Sequence, residues 1–302
     1  MDIPVISGPG DVTALEQWLT EEAGRLRSSA AERGALVITG LGELDPATFE
    51  RLAPRLLGGH PLDYSGGDSP RELLADGVYT STSLPAHQTL PLHNELSYSG
   101  RYPSRLMFGC QTPAVNGGST PLCDGRQLLE RIPEQFLVKA VECGLTYTQR
   151  LRTGAGYGKS WMETFESDDR DQVESWLSAR GVTYRWLGDV LEVAETVQPV
   201  VMHPETGESA WFAQVDQWHP SSLDPEIREI LEETGYAYHD VTYGDGSPIA
   251  DGDARGLGDI GSELSWSRPW ASGDLMLVDN LVTLHGREPF DGSPRKILVS
   301  ML

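Results

Sequence analysis

The tripeptide His93-Asn94-Glu95 sets an imidazole and a carboxylate two residues apart. On a β-strand, residues at that spacing face the same way, so both side chains can reach one metal ion. A third ligand has to come from elsewhere in the chain. His285 suits the role: it lies in LMLVDNLVTLHGREPF, shortly after the apolar run of residues 275–278. Two histidines and one carboxylate on one face of an ion leave three positions open, the facial arrangement of non-haem Fe(II) sites. The same ligand types also serve catalytic zinc, which would make a hydrolase. An HxE tripeptide arising by chance would leave a non-catalytic binding protein. The other histidines, His60, His87, His203, His219 and His239, have no such context.

A second set of residues bears on this choice. Iron that activates O2 needs a two-electron donor. A 2-oxo acid chelating the metal through its keto oxygen and one carboxylate leaves its far carboxylate for the protein to hold. Arg295, just ahead of an apolar run at residues 296–302, offers a planar fork that matches a carboxylate bidentately. Thr120, in GGST, can donate a hydroxyl to the same group.

These residues need elements to hold them. Leu15, Trp18 and Leu19 fall at helical spacing within residues 12–33, with Asp11 or Thr13 as N-cap and Gly34 as the stop. Residues 35–39 read as a short buried strand. Asp45-Pro46 opens a second helix to about Leu57, with Asp45 capping and Pro46 in the first turn. Residues 58–77 read as a long loop, and residues 78–123 as strands broken by Pro and Gly. Asp124 caps a helix within residues 121–136. Residues 140–215 mix a helix near 169–179 with strands such as 183–186. Residues 236–242 alternate like a strand, and runs at 270–278 and 296–302 bracket His285. Helices gather at the start and strands dominate the rest, which predicts an α+β chain with a mainly β core, a sandwich or barrel. Asn94, Tyr98, Phe212 and Gln214 are the candidate substrate contacts, and residues 58–84 and 150–175 the candidate lids.

The 302 residues carry 45 acidic against 23 basic side chains, a formal charge of -22. Such a surface repels phosphate backbones and anionic lipid, which argues against nucleic acid and membrane partners. It favours a small, cationic or amino-acid-like substrate. The N-terminal residues show no basic segment followed by an apolar one, and three cysteines without a CxxC pair suit a reducing compartment. Both point to the cytoplasm. Oligomeric state is not legible.

Three blocks in order, YTSTSLPAHQTLPLHNELSY, FGCQTPAVNGGSTPLCDGR and SGDLMLVDNLVTLHGREPF with RKILVSM, resemble the taurine dioxygenase/clavaminate synthase-like superfamily. The nearest flavour is the syringomycin-pathway aspartyl β-hydroxylase type. HPETGESAWF and YGDGSPI are further landmarks of the resemblance. It implies a double-stranded β-helix, or jelly roll, with flanking helices and a lid insertion. The implied layout is one oxygenase domain over residues 1–302, with a helical flank at about 1–58, a core at about 78–302 and an insertion at about 140–215. The implied cofactors are Fe(II), 2-oxoglutarate and O2, with His93, Glu95 and His285 on iron and Thr120 and Arg295 on 2-oxoglutarate. Arg287 is the second candidate for the last role, because FDGSPRK is one residue longer than the usual segment. Ala213 stands in WFAQ where Asn is expected. The implied reaction hydroxylates an unactivated C–H of an amino acid or a natural-product intermediate, free or on a carrier protein, with succinate and CO2 as co-products. Desaturation, epoxidation or cyclisation would use the same cofactors. Glu95 itself argues against halogenation, which needs the carboxylate position vacated for chloride.

Overall fold

The structure is a computed structural model that describes residues 1–10, 12–62, 71–81, 84–154, 158–234 and 238–302. Its strands are β1 (Val5–Ser7), β2 (Ala35–Thr39), β3 (Leu73–Ala75), β4 (Val78–Thr80), β5 (Leu90–His93), β6 (Arg105–Thr112), β7 (Leu122–Asp124), β8 (Leu145–Leu151), β9 (Thr183–Leu187), β10 (Val190–Val197), β11 (Val200–Met202), β12 (Ser209–Trp211), β13 (His239–Tyr243), β14 (Leu275–Asp279), β15 (Thr283–Arg287) and β16 (Lys296–Met301). Its helices are α1 (Val12–Arg33), α2 (Pro46–Leu57), α3 (Gly125–Arg131), α4 (Glu134–Cys143), α5 (Trp161–Phe165), α6 (Arg170–Ala179), α7 (Val215–Trp218), α8 (Pro225–Thr234) and α9 (Asp251–Leu264).

Seven strands form the largest sheet, in the order β1-β2-β14-β6-β16-β4-β3. Its central strands β14 and β16 are runs of buried apolar residues, as a sheet covered on both faces requires. One face carries α1 and α2: Leu15, Leu19 and Leu26 pack with Phe49, Leu52 and Leu56 over Leu36, Leu275 and Leu298. Asp45 caps α2 by accepting from the Thr48 N–H, with Pro46 in its first turn, as expected. Of the expected caps of α1, Asp11 lies outside the described residues and Thr13 falls within the helix, which starts at Val12.

The opposite face meets a three-stranded sheet, β5-β15-β7. Leu122 of β7 packs among Phe108, Met276 and Ile297 of the large sheet, and the Phe108 ring lies 5.3 Å from that of His285. The site is therefore built between two layers. A separate four-stranded sheet, β13-β8-β10-β9, stands beside them.

Two expectations change. Helices do not gather at the start, because α3 to α9 are spread over residues 125–264. α9 escapes sequence pattern because Gly252, Gly256, Gly258 and Gly261 dilute its periodicity. The helix expected within residues 121–136 is α3, and a second helix, α4, follows it from Pro133. Asp124 caps the first of them, accepting from the Arg126 N–H. Within the expected loop of residues 58–77, β3 forms, and residues 63–70 lie outside the description. The proposed lid at 150–175 contains α5 and the start of α6, with residues 155–157 likewise undescribed. No described helix is long and apolar enough to cross a membrane.

Candidate metal centre and its cavity

β5 and β15 run antiparallel with His93 directly opposite His285, and their rings are 4.3 Å apart at the centroids. Both are buried, at 6% and 3% exposure, and Glu95 joins them at 4%. One ligand atom from each of the three residues lies within 4.8 Å of the others. The spacing is right, but not for the reason expected. β5 ends at His93, so Glu95 does not share a strand face with it. Glu95 sits in the turn that follows, and Leu96 takes a left-handed conformation at φ 57° to make that turn.

Asn280, fully buried between β14 and β15, holds the turn. Its Oδ1 accepts from the Glu95 N–H at 2.7 Å. Its Nδ2 donates to the carbonyls of Glu95 at 3.1 Å and Pro103 at 2.7 Å. The Asn94 side chain donates to the Asn280 carbonyl at 2.6 Å. The ligand carboxylate thus hangs from a side-chain clasp. Sequence reasoning passed over Asn280; its one signal was a polar residue lodged in the apolar run LMLVDNLV.

The donor chemistry fits a divalent transition metal. His93 Nδ1 lies 2.9 Å from the Pro91 carbonyl. With its proton there, Nε2 keeps a free lone pair. His285 Nε2 is 3.7 Å from Glu95 Oε2. His285 Nδ1 is buried without a hydrogen-bond partner among the described residues. Burial pushes the pKa of His93 below the ordinary histidine value and that of His285 well below it. Both rings are therefore neutral near pH 7, as ligands must be. Arg71 donates from Nη2 to Glu95 Oε2 at 2.7 Å, with the two side chains 3% and 5% exposed.

Thr120 and Arg295 are both tied to the loop that leads into β7. The Gly286 N–H donates to the Pro121 carbonyl, and the Glu288 N–H to that of Ser119. Thr120 therefore lies alongside Arg287, just beyond His285. Arg295 Nε donates to the Gly118 carbonyl at 2.8 Å, two residues before Thr120. Gly117 and Gly118 have φ of 76° and 70°. A Cβ on Gly118 would meet the Arg295 side chain at 3.0 Å, and one on Gly117 the Pro289 carbonyl at 2.3 Å. This turn is thus a seat for Arg295. Trp270 Nε1 donates to Thr120 Oγ1 at 3.0 Å, which leaves the threonine proton free to be donated. Burial, with Arg287 nearby, lowers the Arg295 pKa to about 10, so it stays charged at neutral pH. Arg287 differs: its two terminal nitrogens donate to the carbonyls of Leu84, Pro85 and Gln88. That arginine clamps the chain ahead of β5, which disfavours it as the second carboxylate holder.

A cavity of about 730 Å³ opens onto His93 and Glu95. Of the four candidate substrate contacts, Tyr98 and Gln214 line it. Gln214 is fixed there, donating to the Asn94 carbonyl at 2.6 Å and accepting from Trp218 Nε1 at 3.3 Å. Asn94 and Phe212 do not line it. Asn94 turns inward to Asn280, and Phe212 packs on Tyr102 and beside Leu281 and Val282. A second cavity of about 590 Å³ shares Leu96, Tyr98 and Trp218 with the first.

Among known proteins, the chain is 29% identical over 281 residues to a dapdiamide synthesis protein of Enterobacter agglomerans, covering 90% of this chain and 83% of that one. It is 28% identical over 314 residues to a clavaminate synthase-like protein of Arabidopsis thaliana, covering 99% and 89%. Its fold is similar to that of asparagine oxygenase, solved with Fe(II), hydroxyasparagine and succinate. There the TM-score is 0.58 at 14% identity, over 96% of this chain and 81% of that one. It is also similar to a taurine dioxygenase from Burkholderia xenovorans, with a TM-score of 0.52 at 16% identity over 93% and 80%. The model of the family described as taurine catabolism dioxygenase TauD, TfdA matches residues 6–301, so the chain belongs to that family.

Proposed function

We propose that the protein is an Fe(II)/2-oxoglutarate-dependent oxygenase on a jelly-roll core, hydroxylating an unactivated C–H bond of an amino acid or amino-acid-derived intermediate. The observation that carries this reading is the presence of two clusters near one another: three buried ligand atoms within 4.8 Å, and, beyond His285, Thr120 with Arg295 seated two residues before it on the Gly118 carbonyl. A zinc hydrolase would have no use for the second site.

His93, Glu95 and His285 would hold the metal on one face and leave its remaining positions toward the cavity. Iron, 2-oxoglutarate and O2 bound there would supply the oxidant for C–H cleavage: one oxygen atom of O2 goes into succinate as CO2 is lost, the other into the hydroxylated product. The chain's own residues do the rest. Arg295 and Thr120 hold the cofactor's distal carboxylate by charge-assisted and hydroxyl hydrogen bonds. Asn280 keeps Glu95 in place. Tyr98, Gln214 and Trp218 form a partly apolar wall that excludes water and orients the substrate. The dapdiamide synthesis relative and the asparagine oxygenase fold support an amino-acid-like substrate, free or on a carrier protein.

The test is anaerobic addition of Fe(II) and 2-oxoglutarate to the metal-free protein. A weak visible charge-transfer band is expected, followed by succinate release once air and a substrate are admitted. A protein that shows no band and hydrolyses esters or amides with zinc would overturn the reading. Product mass separates hydroxylation, a gain of one oxygen, from desaturation, a loss of two hydrogens.

A further inference from the structure

The cavity at the metal centre, at about 730 Å³, is by itself the size of a small-molecule site. It nevertheless continues into the second cavity, of about 590 Å³, since Leu96, Tyr98 and Trp218 border both. The Tyr98 and Trp218 rings, 4.6 Å apart at their centroids, stand where the two meet. Tyr147 of β8, Val193 of β10 and Leu177 of α6 give the second cavity an apolar wall.

Charge in that lining comes from three residues among those described: Arg101, Arg180 and Glu195. Glu195 Oε2 accepts from the Gly100 N–H at 3.1 Å, and among the described residues it pairs with neither arginine. Arg180 closes α6, and its guanidinium carbon lies 3.6 Å from the centroid of the Trp176 ring. Stacking occupies the face of a guanidinium and leaves the in-plane donors of its edge. One of these makes a long bond, 3.4 Å, to the Trp176 carbonyl. Of Arg101 only the backbone N–H and carbonyl are hydrogen-bonded among the described residues, both to Ser99. Partial burial, and the positive charge of Arg101 nearby, hold the Arg180 pKa below the ordinary arginine value. Two cations against one acid leave the lining one positive charge in excess. An anion between the arginines would relieve their repulsion.

Taking the metal centre as the oxygenase site proposed above, we propose that the substrate spans both cavities, with the carbon to be oxidised at the metal and a carboxylate at its far end held by Arg101 and Arg180. The substrate is then an extended acid, of the size of a di- or tripeptide, and not a lone amino acid. A single carboxylate matches the excess charge of the lining, and its planar group matches the edge of a guanidinium. Partly buried pairs of this kind are screened by salt less than the long-range field of the molecule.

The experiment measures binding alone. The whole protein is loaded with Mn(II) and 2-oxoglutarate without oxygen. It is titrated calorimetrically with L-amino acids, and with di- and tripeptides, each against its C-terminal amide. A separate series uses amino-acid amides of O-phosphoethanolamine against those of ethanolamine. At least one peptide acid should bind roughly 10- to 100-fold more tightly than its amide, the worth of one charge-assisted pair. It should also bind more tightly than the amino acids that compose it. Arg101→Ala should lose most of that preference; its exposed side chain has no partner among the described residues, so the fold is kept. Arg180→Met should lose it as well, and Arg180→Lys should keep part. All three variants should take up Mn(II) and 2-oxoglutarate as the wild type does. The proposal is overturned if no peptide acid is preferred to its amide, or if single amino acids bind as tightly as the peptides. It is also overturned if Arg101→Ala and Arg180→Met keep the preference. A preference confined to the phosphate-ended amides overturns it too, since the arginines would then hold the phosphate of a tether. A wild type that fails to bind 2-oxoglutarate in the first titration fails the oxygenase reading itself, before any substrate is added.

Discussion

Replacing Asn280 with leucine tests whether the clasp, not a strand, holds the carboxylate ligand. Leucine has nearly the same volume, so packing changes little. Three hydrogen bonds disappear, at 2.7, 3.1 and 2.7 Å, and strand the Glu95 N–H, the Glu95 carbonyl and the Pro103 carbonyl in a buried place. Each stranded buried group costs about 1–3 kcal/mol. With partial relaxation the sum is about 3–6 kcal/mol, a large share of the roughly 5–15 kcal/mol typical of a whole domain. At about 2 °C per kcal/mol for a chain of this size, the metal-free melting temperature should fall by roughly 6–12 °C. Mn(II) affinity should fall by about 10- to 100-fold, because the support of a ligand is lost. Differential scanning calorimetry with and without Mn(II), and Mn(II) titration, read both. His93→Ala provides the contrast, removing Mn(II) binding while leaving the clasp whole. If Asn280→Leu melts within a degree of wild type and binds Mn(II) equally well, the turn is held by something else and the reasoning is refuted.

Other consequences can be checked separately. Arg295→Met should raise the 2-oxoglutarate KM by roughly 10- to 100-fold, and Thr120→Val by about 5- to 10-fold, both without loss of Mn(II) binding; an unchanged KM in both would move the cofactor elsewhere. Burial raises the Asp216 pKa to about 7 from 3.8. Between those values the folded state keeps a proton that the unfolded state has lost, so stability falls as pH rises through that window and is level above it. Asp216→Asn should therefore be more stable than wild type at pH 8, by about 1–4 kcal/mol, with the gain vanishing near pH 4; a gain that is the same at both pH values would refute this. Burial pushes the Cys110 and Cys123 thiols up to about 12. A thiol reagent at pH 8 should therefore label Cys143 in the native protein well before either of them, as peptide mapping would show.

What was legible in the sequence follows from how local the cause is. The caps Asp45 and Asp124 were readable because a cap is a relation between neighbours. That His93, Glu95 and His285 come together follows from their residue types, and Arg295 stands out by its place ahead of an apolar strand. Glu95 meets the two histidines, but not by the relation that singles it out in the sequence. The i, i+2 rule assumes a strand that in fact ends at His93, and the carboxylate is placed by Asn280, 185 positions away. No local pattern carries that information. Trp270 on Thr120, at a separation of 150 positions, is the same kind of relation. Phe212 and Asn94 were nominated for their nearness in sequence to the ligands or to a family landmark, but core packing and the clasp claimed them. α9 was lost because four glycines hide a helix that tertiary packing enforces: Leu257 and Ala254 are buried against the core that holds Trp218 and Tyr243.

Net charge and site charge need not agree, for a physical reason that bears on the enzyme's selectivity. Net charge is a property of the surface, set mainly by solvation and solubility. A site charge is set by what has to be held in a place that water leaves. The described lining of the metal-centre cavity has a single acid, Glu95, paired with Arg71, and Lys159 on the wall. Beyond it Arg295 is buried enough for its pKa to fall to about 10 while still staying charged. An acidic exterior around a basic interior slows the approach of anions, and holds firmly those that enter. Such an arrangement trades association rate for discrimination: a small carboxylate that reaches Arg295 is held, while polyanions such as nucleotides are turned away at the surface. Raising ionic strength screens the exterior but hardly the buried pairs. The KM for a carboxylate substrate should therefore fall, not rise, as salt is added from low concentration. A KM that climbs with salt from the start would mean that surface cations steer the substrate, and that the interior charges described here do not govern its capture.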